Sequence, residues 1–456
     1  MVKDFTAKDD LVLFTSGSRF TIGSVFLDQG MKSTLATFDL FIRELPRTRN
    51  YFVAAGLEHV ISYLKGLRFG RKHLKWMKET GNYSEDALKY FKKFKFTGDV
   101  WAMPEGTIFF PGEPIIRITA PIIEAQLIEM FLINNVMLQT NLFSKIVRFQ
   151  DAANGKEVVM GFNRSLGADV AMKSTRINKI LGIKTSFALY DYLHGDKPPF
   201  SVGTFHYFLM AFPSELEAMR AYMKSTKGKG YVLVDTYDFR EGLENFISAA
   251  KELERRGYRS AGIQLDSGDL YRQSIEARRR LDAAGLTYCK IFIMSNLDEW
   301  KVDRLEKRRA PADVYAGVTE LLNLTDSPSL EVVYKLCEII ESGRVSPKFK
   351  LSSQKMSLPG RKQVFRRMKH GEYCSDTIGL QEERLPGKAL LQPIFKSGKC
   401  IYKIPTLREL AQYFRFEKAR FSERLFDVGK KSSYKVDISP GLSRLVKKMK
   451  RQRTHP

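Results

Sequence analysis

The stretch AGIQLDSGDLYRQSIEARRRLDAAG, residues 261–285, joins a short apolar run, two carboxylates and an amphipathic segment. The apolar run predicts a buried strand, and the 3.6-residue period of the apolar positions that follow predicts a helix. Gly285 stands where a helix C-cap is expected. Because carboxylates are seldom buried unless they hold a partner, Asp266 and Asp269 are candidate binding residues.

The same pattern recurs through residues 231–318. Strand-like runs that end in polar residues occur at YVLVDTYD (231–238) and KIFIMSN (290–296), and the run DVYAGV (313–318) closes the series. Repeated βα units indicate a parallel sheet, and in a (β/α) barrel the carboxyl ends of the strands form the active-site face. We therefore expect one shared mouth that contains Asp235, Asp238, Asp266, Asp269, Ser295 and Asn296.

Both ends of the chain follow a different pattern. Residues 100–138 contain short strands punctuated by Pro and Gly, and then a long apolar helix. The predicted class is α/β: an irregular (β/α) barrel with a second, smaller α/β domain built from the N-terminal and C-terminal segments. The predicted divisions are an α/β domain with a long helix at 1–140, the barrel at 141–345, a return to the smaller domain at 346–405, and a basic helical segment at 406–456.

Composition indicates a globular, cytoplasmic protein. The chain has 456 residues and is 43% hydrophobic, which is enough for more than one core. No apolar run is long enough to span a bilayer, and the first ten residues contain no apolar signal segment. The four cysteines are scattered without metal-ligand spacing, which favours reduced thiols in a cytosolic protein.

The charge is unusual, since 75 Lys and Arg face 51 Asp and Glu, a formal net charge of +24. Basic clusters occur at 89–96, 306–310, 360–370 and 444–453. Such an excess suits polyphosphate substrates, RNA or another anionic partner. The alternative is a solvated basic surface, which the absence of a nucleic-acid motif favours.

Several longer stretches, taken in their order and spacing, resemble the nicotinate phosphoribosyltransferase family. They are YFVAAGLEHVISYLKGLRF (51–69), FTGDVWAMPEGTIFFPGEPIIRITAPIIEAQLIE (96–129), LVDTYD (233–238), DSGDL (266–270), SNLDEW (295–300), VYKL (333–336) and LPGRKQVFR (358–366). The resemblance implies an irregular βα barrel, an N-terminal α/β domain and a homodimer. It also implies that nicotinate and phosphoribosyl diphosphate are joined to nicotinate mononucleotide in NAD salvage, with Mg²⁺ and with ATP as co-substrate.

The resemblance also suggests roles for individual residues. His206 matches the family's phosphorylated histidine, and Asp266 is the second catalytic candidate and a possible Mg²⁺ contact. The proposed substrate-binding residues are Asp235, Asp269, Ser186, Arg164, Ser295, Asn296, Gly317 and Thr319. Asp269 fits a helix cap equally well. Ser186 occupies a position at which nicotinate enzymes carry Ser, and Arg164 is one residue beyond an arginine of the family pattern.

Five positions depart from that pattern. Ser18 and Met160 replace aromatic residues that hold the ring, Asn163 and Gln264 replace arginines, and Val318 replaces a glycine of a phosphate loop. The sequence therefore leaves two main functions open, and they differ in whether the protein is catalytically active. One is an active phosphoribosyltransferase, either on nicotinate or on a different base. The other is a catalytically silent member that serves as a scaffold, a regulatory protein or a basic, RNA-binding or anion-binding protein.

Overall fold

The computed structural model describes residues 8–195, 197, 203–351 and 356–454. The chain divides into two compact units. The first unit comprises residues 1–141, 329–425 and 432–456, and the second comprises 142–328 and 426–431. Each unit has its own sheets and its own hydrophobic core, so the two are described separately.

In the second unit strands and helices follow one another in alternation, whereas in the first unit they follow no regular order. The helices are α1 (Gly17–Asp28), α2 (Leu57–Gly66), α3 (Arg71–Glu79), α4 (Glu85–Lys92), α5 (Ile122–Leu127), α6 (Glu129–Ala152), α7 (Ala168–Leu181), α8 (Ala188–His194), α9 (His206–Met210), α10 (Glu215–Thr226), α11 (Phe239–Glu254), α12 (Leu270–Ala283), α13 (Glu299–Lys307), α14 (Thr319–Leu322), α15 (Leu407–Lys418) and α16 (Pro440–Thr454). The strands are β1 (Leu35–Ile42), β2 (Phe52–Val53), β3 (Asp99–Ala102), β4 (Ile108–Phe109), β5 (Ile116–Pro121), β6 (Glu157–Met160), β7 (Lys184–Thr185), β8 (Tyr231–Leu233), β9 (Gly262–Leu265), β10 (Lys290–Ile293), β11 (Val314–Gly317), β12 (Val332–Glu341), β13 (Arg344–Pro347), β14 (Lys362–Lys369), β15 (Glu372–Leu380), β16 (Lys388–Ala389), β17 (Gln392–Lys396), β18 (Lys399–Cys400) and β19 (Lys435–Ile438).

The first unit is built around a seven-stranded antiparallel sheet in the order β13-β12-β1-β5-β3-β17-β18. Its strands come from both ends of the chain, as the sequence predicted. Leu40, Ile118 and Ile394 are fully buried in a core that also takes in α2, α4 and α5. Burial of this apolar surface is the main stabilising contribution to the unit.

A second sheet of the first unit has the strand order β16-β14-β15-β19. Arg366 on β14 and Asp376 on β15 are directly opposite each other and form a fully buried ion pair. Glu417 of α15 also contacts the Arg366 guanidinium, at 3.5 Å. Burial of such charges is tolerated because several hydrogen bonds satisfy them.

The second unit contains a parallel six-stranded sheet in the order β7-β6-β11-β10-β9-β8. Gly203 makes one further parallel bridge, to Tyr231, beyond β8. Helices α11, α12 and α13 follow β8, β9 and β10, as the alternating pattern predicted. The predicted α/β class is confirmed. The sheet is compatible with the predicted barrel, although β7 and the segment at Gly203 are not paired with each other among the described residues.

Aspartates fix the points at which three of these helices begin. Asp238, Asp269 and Asp298 are the N-caps of α11, α12 and α13, and each side chain accepts a hydrogen bond from a backbone N–H of the first turn. N-cap carboxylates satisfy amides that have no partner within the helix. Short loops from strand to capped helix therefore leave the residues between them at the carboxyl edge of the sheet.

No helix among the described residues is both long enough and apolar enough to cross a membrane.

Candidate active site

Every substrate-binding and catalytic candidate lies in the second unit, at or just beyond the carboxyl end of a strand or in the segment beside β8. Asp235 follows β8, Asp266 and Asp269 follow β9, Ser295 and Asn296 follow β10, Gly317 and Thr319 end and follow β11, Arg164 follows β6, Ser186 follows β7, and His206 begins α9. Parallel strands present their carboxyl ends at the same edge, and in open α/β sheets this edge binds ligands. We call this set of residues the carboxyl-edge site.

His206 and Asp266 form the central pair of the carboxyl-edge site. The Nε2 atom of His206 lies 3.5 Å from Oδ2 of Asp266. The other ring nitrogen, Nδ1, lies 3.2 Å from Oγ1 of Thr236. Both side chains of the pair are partly exposed, at 39% and 33% of their surface. The imidazole is thus oriented from two sides and still open to a ligand.

Asp235 holds the loop that carries Asp266. Its Oδ2 atom accepts hydrogen bonds from the backbone N–H of Asp266 at 2.8 Å and of Ser267 at 2.7 Å, and from the Ser267 hydroxyl at 2.8 Å. The other oxygen, Oδ1, is buried and has no hydrogen-bond partner among the described residues. An unpaired buried carboxylate oxygen is costly, so this atom is a candidate ligand contact.

The pKa of Asp266 is raised above its usual value. Burial of the carboxyl group is the first cause, and the negative charge of Asp235 is the second. His206 and Arg164 act in the opposite direction and lower the pKa. Shifts that arise from burial together with specific charged neighbours cluster at functional sites.

Asp269 has a structural role that the sequence left open. Its Oδ1 atom accepts a hydrogen bond of 3.1 Å from the backbone N–H of Arg272, as the N-cap of α12. Asp238 caps α11 in the same way, with bonds from Arg240 and Glu241. Half of the Asp269 side chain remains exposed, so a ligand contact is still open to it.

Arg164 lies beside two other candidates. Its Nη1 atom is 3.5 Å from Oδ1 of Asn296 and 3.4 Å from Oγ1 of Thr319. The side chain is exposed, so most of its donors face solvent. The Arg164 side chain therefore brings together the segments that follow β6, β10 and β11 around one positive charge.

Ser295 and Asn296 have backbone conformations that L-residues rarely adopt. Their φ angles are +98° and +42°. Conformations of this kind cost free energy and persist where the surrounding structure imposes them, often at functional sites. The Lys301 ammonium group donates to the Asn296 carbonyl at 2.7 Å, which fixes this turn from α13.

Comparison with known proteins identifies the family. Residues 13–137 match the sequence model for the nicotinate phosphoribosyltransferase (NAPRTase) N-terminal domain, and residues 387–446 match that for the C-terminal domain. Nicotinate phosphoribosyltransferase pncB2 of Mycobacterium tuberculosis is 41% identical over 87% of this chain and 84% of its own length. Nicotinate phosphoribosyltransferase of Bacillus subtilis is 33% identical over 96% and 94% of the two chains. The chain belongs to the nicotinate phosphoribosyltransferase family.

Solved structures agree with the fold. The crystal structure of human nicotinic acid phosphoribosyltransferase superposes with a TM-score of 0.83 at 23% identity and covers 95% of this chain and 99% of its own. A nicotinate-nucleotide pyrophosphorylase from Pyrococcus furiosus gives a TM-score of 0.72 at 21% identity, over 92% of this chain and 99% of its own. At these identities the likeness establishes the shared fold.

Two of the five positions that depart from the family pattern are buried. Met160 is only 2% exposed, and its sulfur lies against Gly317. Gln264 is 5% exposed and donates to the sulfur of Met294. In this chain, neither side chain faces solvent at the carboxyl-edge site. Asn163 is exposed beside Arg164.

Residues 316–319, the predicted phosphate loop, are in close contact with neighbouring side chains. A Cβ atom at Gly317 would lie 2.8 Å from Leu321 and 2.9 Å from the Met160 sulfur, so this glycine permits close contact within the unit. Val318 is the N-cap residue of the four-residue helix α14, and its Cγ2 atom would be 3.2 Å from a Cβ at Gly161. The valine side chain therefore packs against Gly161, the residue that directly follows β6.

Ser18 lies in the first unit, near the start of α1. It is exposed, and its hydroxyl lies 2.6 Å from that of Ser16.

The structure adds aromatic residues that the sequence analysis did not select. Phe162 and Phe187 are half-buried, and their ring centroids are 5.4 Å apart. Phe162 lies two residues before Arg164, and Phe187 directly follows the exposed Ser186. Because the two rings follow β6 and β7, they belong to the carboxyl edge. The apolar run EVVM (157–160), two residues before Phe162, was the available signal for a strand end, whereas β7 has only two residues and gives none.

Thr236 and Ser267 were also missed, although both stand next to selected aspartates. No group of three or more His, Cys, Asp or Glu side chains in the described part of the chain is arranged to hold a metal ion.

Proposed function

We propose that this chain joins nicotinate to phosphoribosyl diphosphate and releases pyrophosphate, in the salvage of NAD. Its membership of the nicotinate phosphoribosyltransferase family supports this function. The observation that carries the proposal is the His206–Asp266 pair, held by Thr236 and by the Asp235-bound loop at the carboxyl edge of a parallel sheet.

The chemistry requires orientation and charge compensation more than proton transfer. The pyridine nitrogen of nicotinate is already a nucleophile, so the site must place it beneath C1 of the ribose. The bond between C1 and the diphosphate oxygen breaks as the nitrogen–carbon bond forms, and the sugar becomes cationic in the transition state. Carboxylates at Asp266 and Asp235 would hold the ribose hydroxyls and stabilise that positive charge.

Arg164 is the candidate contact for an anionic group of the substrates. A guanidinium group can bind a carboxylate or a phosphate with two parallel hydrogen bonds. Asn296 and Thr319 approach one of its nitrogens and leave the other donors open. The nearby Phe162–Phe187 pair offers an aromatic surface on which a planar pyridine ring would stack.

His206 is the candidate for the step that couples ATP hydrolysis to the reaction. An imidazole nitrogen attacks the γ-phosphorus of ATP, the bond to the β-phosphate oxygen breaks, and ADP leaves. The nitrogen that attacks must be unprotonated, and the neighbouring Asp266 carboxylate would stabilise the positive charge that the ring acquires. Thr236 fixes the ring orientation from the opposite nitrogen.

Mg²⁺ would fit this site only if the substrate supplied some of its ligands. The described residues provide no cluster of three ligands, and Mg²⁺ characteristically binds one or two carboxylates together with substrate phosphates. Asp266 and the unpaired Oδ1 of Asp235 would be its protein contacts. When bound, the ion neutralises charge on the leaving diphosphate.

The departures from the family pattern do not require a silent protein. Met160 and Gln264 are buried in this chain, and the exposed groups at the carboxyl edge include two carboxylates, an imidazole, a guanidinium and aromatic surface. No observation favours the silent alternative. We further propose a homodimer, on the basis of the family resemblance, and a cytoplasmic location, which the four free thiols suit.

The decisive experiment is product formation. Purified protein is incubated with nicotinate, phosphoribosyl diphosphate, Mg²⁺ and ATP, and nicotinate mononucleotide is measured by mass spectrometry. We expect product with the wild type and with the helix-cap variant Asp238→Ala, and loss of product with Asp266→Ala. Absence of product from the wild type, with no thermal shift on addition of phosphoribosyl diphosphate, would overturn the proposal.

A further inference from the structure

The net charge of this protein is concentrated in one part of the chain. Residues 329–456 contain 29 Lys and Arg but only 12 Asp and Glu, which accounts for +17 of the net +24. No acidic residue follows Asp437. Apart from residues 426–431, this part of the chain belongs to the first unit, whereas the carboxyl-edge site belongs to the second. Catalysis at that site therefore leaves most of the charge unexplained.

The most concentrated basic surface is one face of α16. Arg444, Lys447, Lys448 and Arg451 recur at positions i, i+3, i+4 and i+7, and all four are exposed. Residues at this spacing share a single face of a helix. We call these four residues the α16 basic stripe. Its length along the helix axis is about 10 Å, at about 1.5 Å per residue.

The opposite face of α16 is packed onto the unit. Leu442 is fully buried, and Leu445, Val446 and Met449 are half-buried. The Cδ2 atom of Leu445 lies 3.4 Å from the position that a Cβ atom would occupy at Gly360. A helix that binds at a membrane surface needs a free apolar face. Because this apolar face is already used, the stripe suits a polar anionic partner better than a lipid surface.

The start of α16 is fixed firmly, so the stripe is carried on an ordered support. Ser439 accepts a hydrogen bond from the Leu442 N–H at 3.1 Å and donates to Glu383 at 2.6 Å. Glu383 also accepts from the Gly441 N–H at 3.0 Å. The Ser439 cap and the charge-assisted hydrogen bonds to the Glu383 carboxylate hold the first turn of the helix in place.

We propose that the α16 basic stripe binds single-stranded RNA through its phosphates. Lysine and arginine neutralise backbone phosphates without reading sequence. The four cations lie along one line about 10 Å long, and a backbone without base pairing is free to bend onto such a line. A flexible single strand can follow the stripe. Its last three cations, from Lys447 onward, lie beyond the residues that match the family's C-terminal domain.

Fluorescence anisotropy with a labelled 20-nucleotide single-stranded RNA, at KCl concentrations from 50 to 200 mM, tests the proposal. We expect binding that weakens steeply with salt. The triple variant R444E/K447E/K448E should weaken binding on the order of tenfold or more and lower the salt slope by about 2, at about 0.7 per phosphate contact. The neutral variant R444Q/K447Q/K448Q should give a smaller loss.

A matched triple variant distinguishes loss of the α16 basic stripe from the effect of a lower net charge. K92E/K93E/K95E changes the net charge equally, in another exposed basic cluster of the same unit. We expect it to retain RNA binding, and all variants to retain nicotinate mononucleotide formation and the wild-type melting temperature. Equal loss in both reversed variants, or no RNA binding by wild type at 50 mM KCl, would refute the proposal. Tighter binding of the equivalent single-stranded DNA, or of phosphatidylserine vesicles, would show that the partner is not RNA.

Discussion

The Nε2 atom of His206 lies 3.5 Å from Oδ2 of Asp266, and a third residue, Asp235, holds the backbone of that aspartate. The two members of the pair come from different segments, His206 from the start of α9 and Asp266 from the end of β9. Each is positioned by a neighbour on the loop after β8: Thr236 contacts the imidazole, and Asp235 accepts the backbone N–H of Asp266. The loop after β8 therefore controls both charges at the centre of the site.

The first prediction concerns the pH dependence of the reaction. Asp266 acts as a carboxylate in the proposed mechanism, so the rate should rise with pH as this group ionises. Burial and the charge of Asp235 raise its pKa. Asp235→Asn removes one of these causes, so the acid limb of the kcat/KM profile should move to lower pH. An acid limb at the same pH in both proteins would show that Asp266 does not govern the rate.

The second prediction separates the helix cap from the catalytic carboxylate. Asp269→Ala removes the N-cap of α12 and should lower the free energy of unfolding by about 1 kcal/mol, with catalysis retained. Urea denaturation of the whole protein measures this loss, and Asp238→Ala, which removes the cap of α11, is the matched control. Loss of activity in Asp269→Ala that exceeds the loss in Asp238→Ala would assign Asp269 to substrate binding.

Asp266→Ala should behave in the opposite way. We expect kcat/KM to fall by on the order of 10²–10³, since the variant removes charge stabilisation of the transition state. Its Tm should change little, because Asp266 caps no helix, and Asp269 remains the cap of α12. An active Asp266→Ala variant would contradict the central role of the pair.

Much of this arrangement was predictable from the sequence because local patterns encode it. The apolar runs at 231–238, 261–270, 290–296 and 313–318 do contain β8 to β11, and amphipathic helices follow the first three. Parallel strands flanked by helices are apolar over their length, and the helices keep a period of 3.6. The placement of polar residues at strand ends follows from this alternation alone.

The partners of individual side chains were not predictable. Asp235 accepts hydrogen bonds from the backbone of residues 266 and 267, in the loop after the neighbouring strand β9, and no spacing in the sequence reveals that contact. Gln264, at the position of a predicted lost arginine, is buried on β9. All four residues of that strand are buried, so the strand has no alternation from which its two faces could be distinguished.

The third prediction concerns recognition of nicotinate. Phe162→Ala removes the aromatic surface and should raise the KM for nicotinate by roughly 5-fold to 150-fold, as expected for loss of about 1–3 kcal/mol of stacking. The KM for phosphoribosyl diphosphate should change little. Phe208→Ala, which alters an aromatic residue on α9 of the same unit, is the comparison variant. Equal changes in both KM values would indicate a general disturbance of the fold.

Arg164→Gln tests the anionic contact. Loss of a charge-assisted hydrogen bond is worth about 1.5–3 kcal/mol, so kcat/KM should fall by roughly 10-fold to 150-fold. If the guanidinium binds the carboxylate of the base, the KM for nicotinate rises. If it binds phosphate, the KM for phosphoribosyl diphosphate rises instead. An unchanged kcat/KM would place Arg164 outside substrate binding.

The last prediction concerns the stability of the first unit. Glu113 is fully buried, and its pKa is raised well above the usual value by burial and by the charge of Asp376. Its Oε2 atom accepts the Phe110 N–H at 2.9 Å, while Oε1 has no hydrogen-bond partner among the described residues. A carboxyl group with a raised folded-state pKa binds its proton more tightly in the folded protein. Its contribution to stability is therefore present at low pH and is lost as pH rises from the unfolded pKa through the folded one.

Glu113→Gln keeps a neutral side chain of the same shape at every pH. We expect the variant to be more stable than wild type at pH 8 and nearly equal to it at pH 4, where the glutamate of both the folded and the unfolded wild type is largely protonated. Thermal unfolding at both pH values measures the difference, and Glu44→Gln, at an exposed carboxylate of the same unit, is the control for a simple change of net charge. A difference between Glu113→Gln and wild type that is the same at both pH values would mean that the buried carboxyl group does not titrate as its surroundings require.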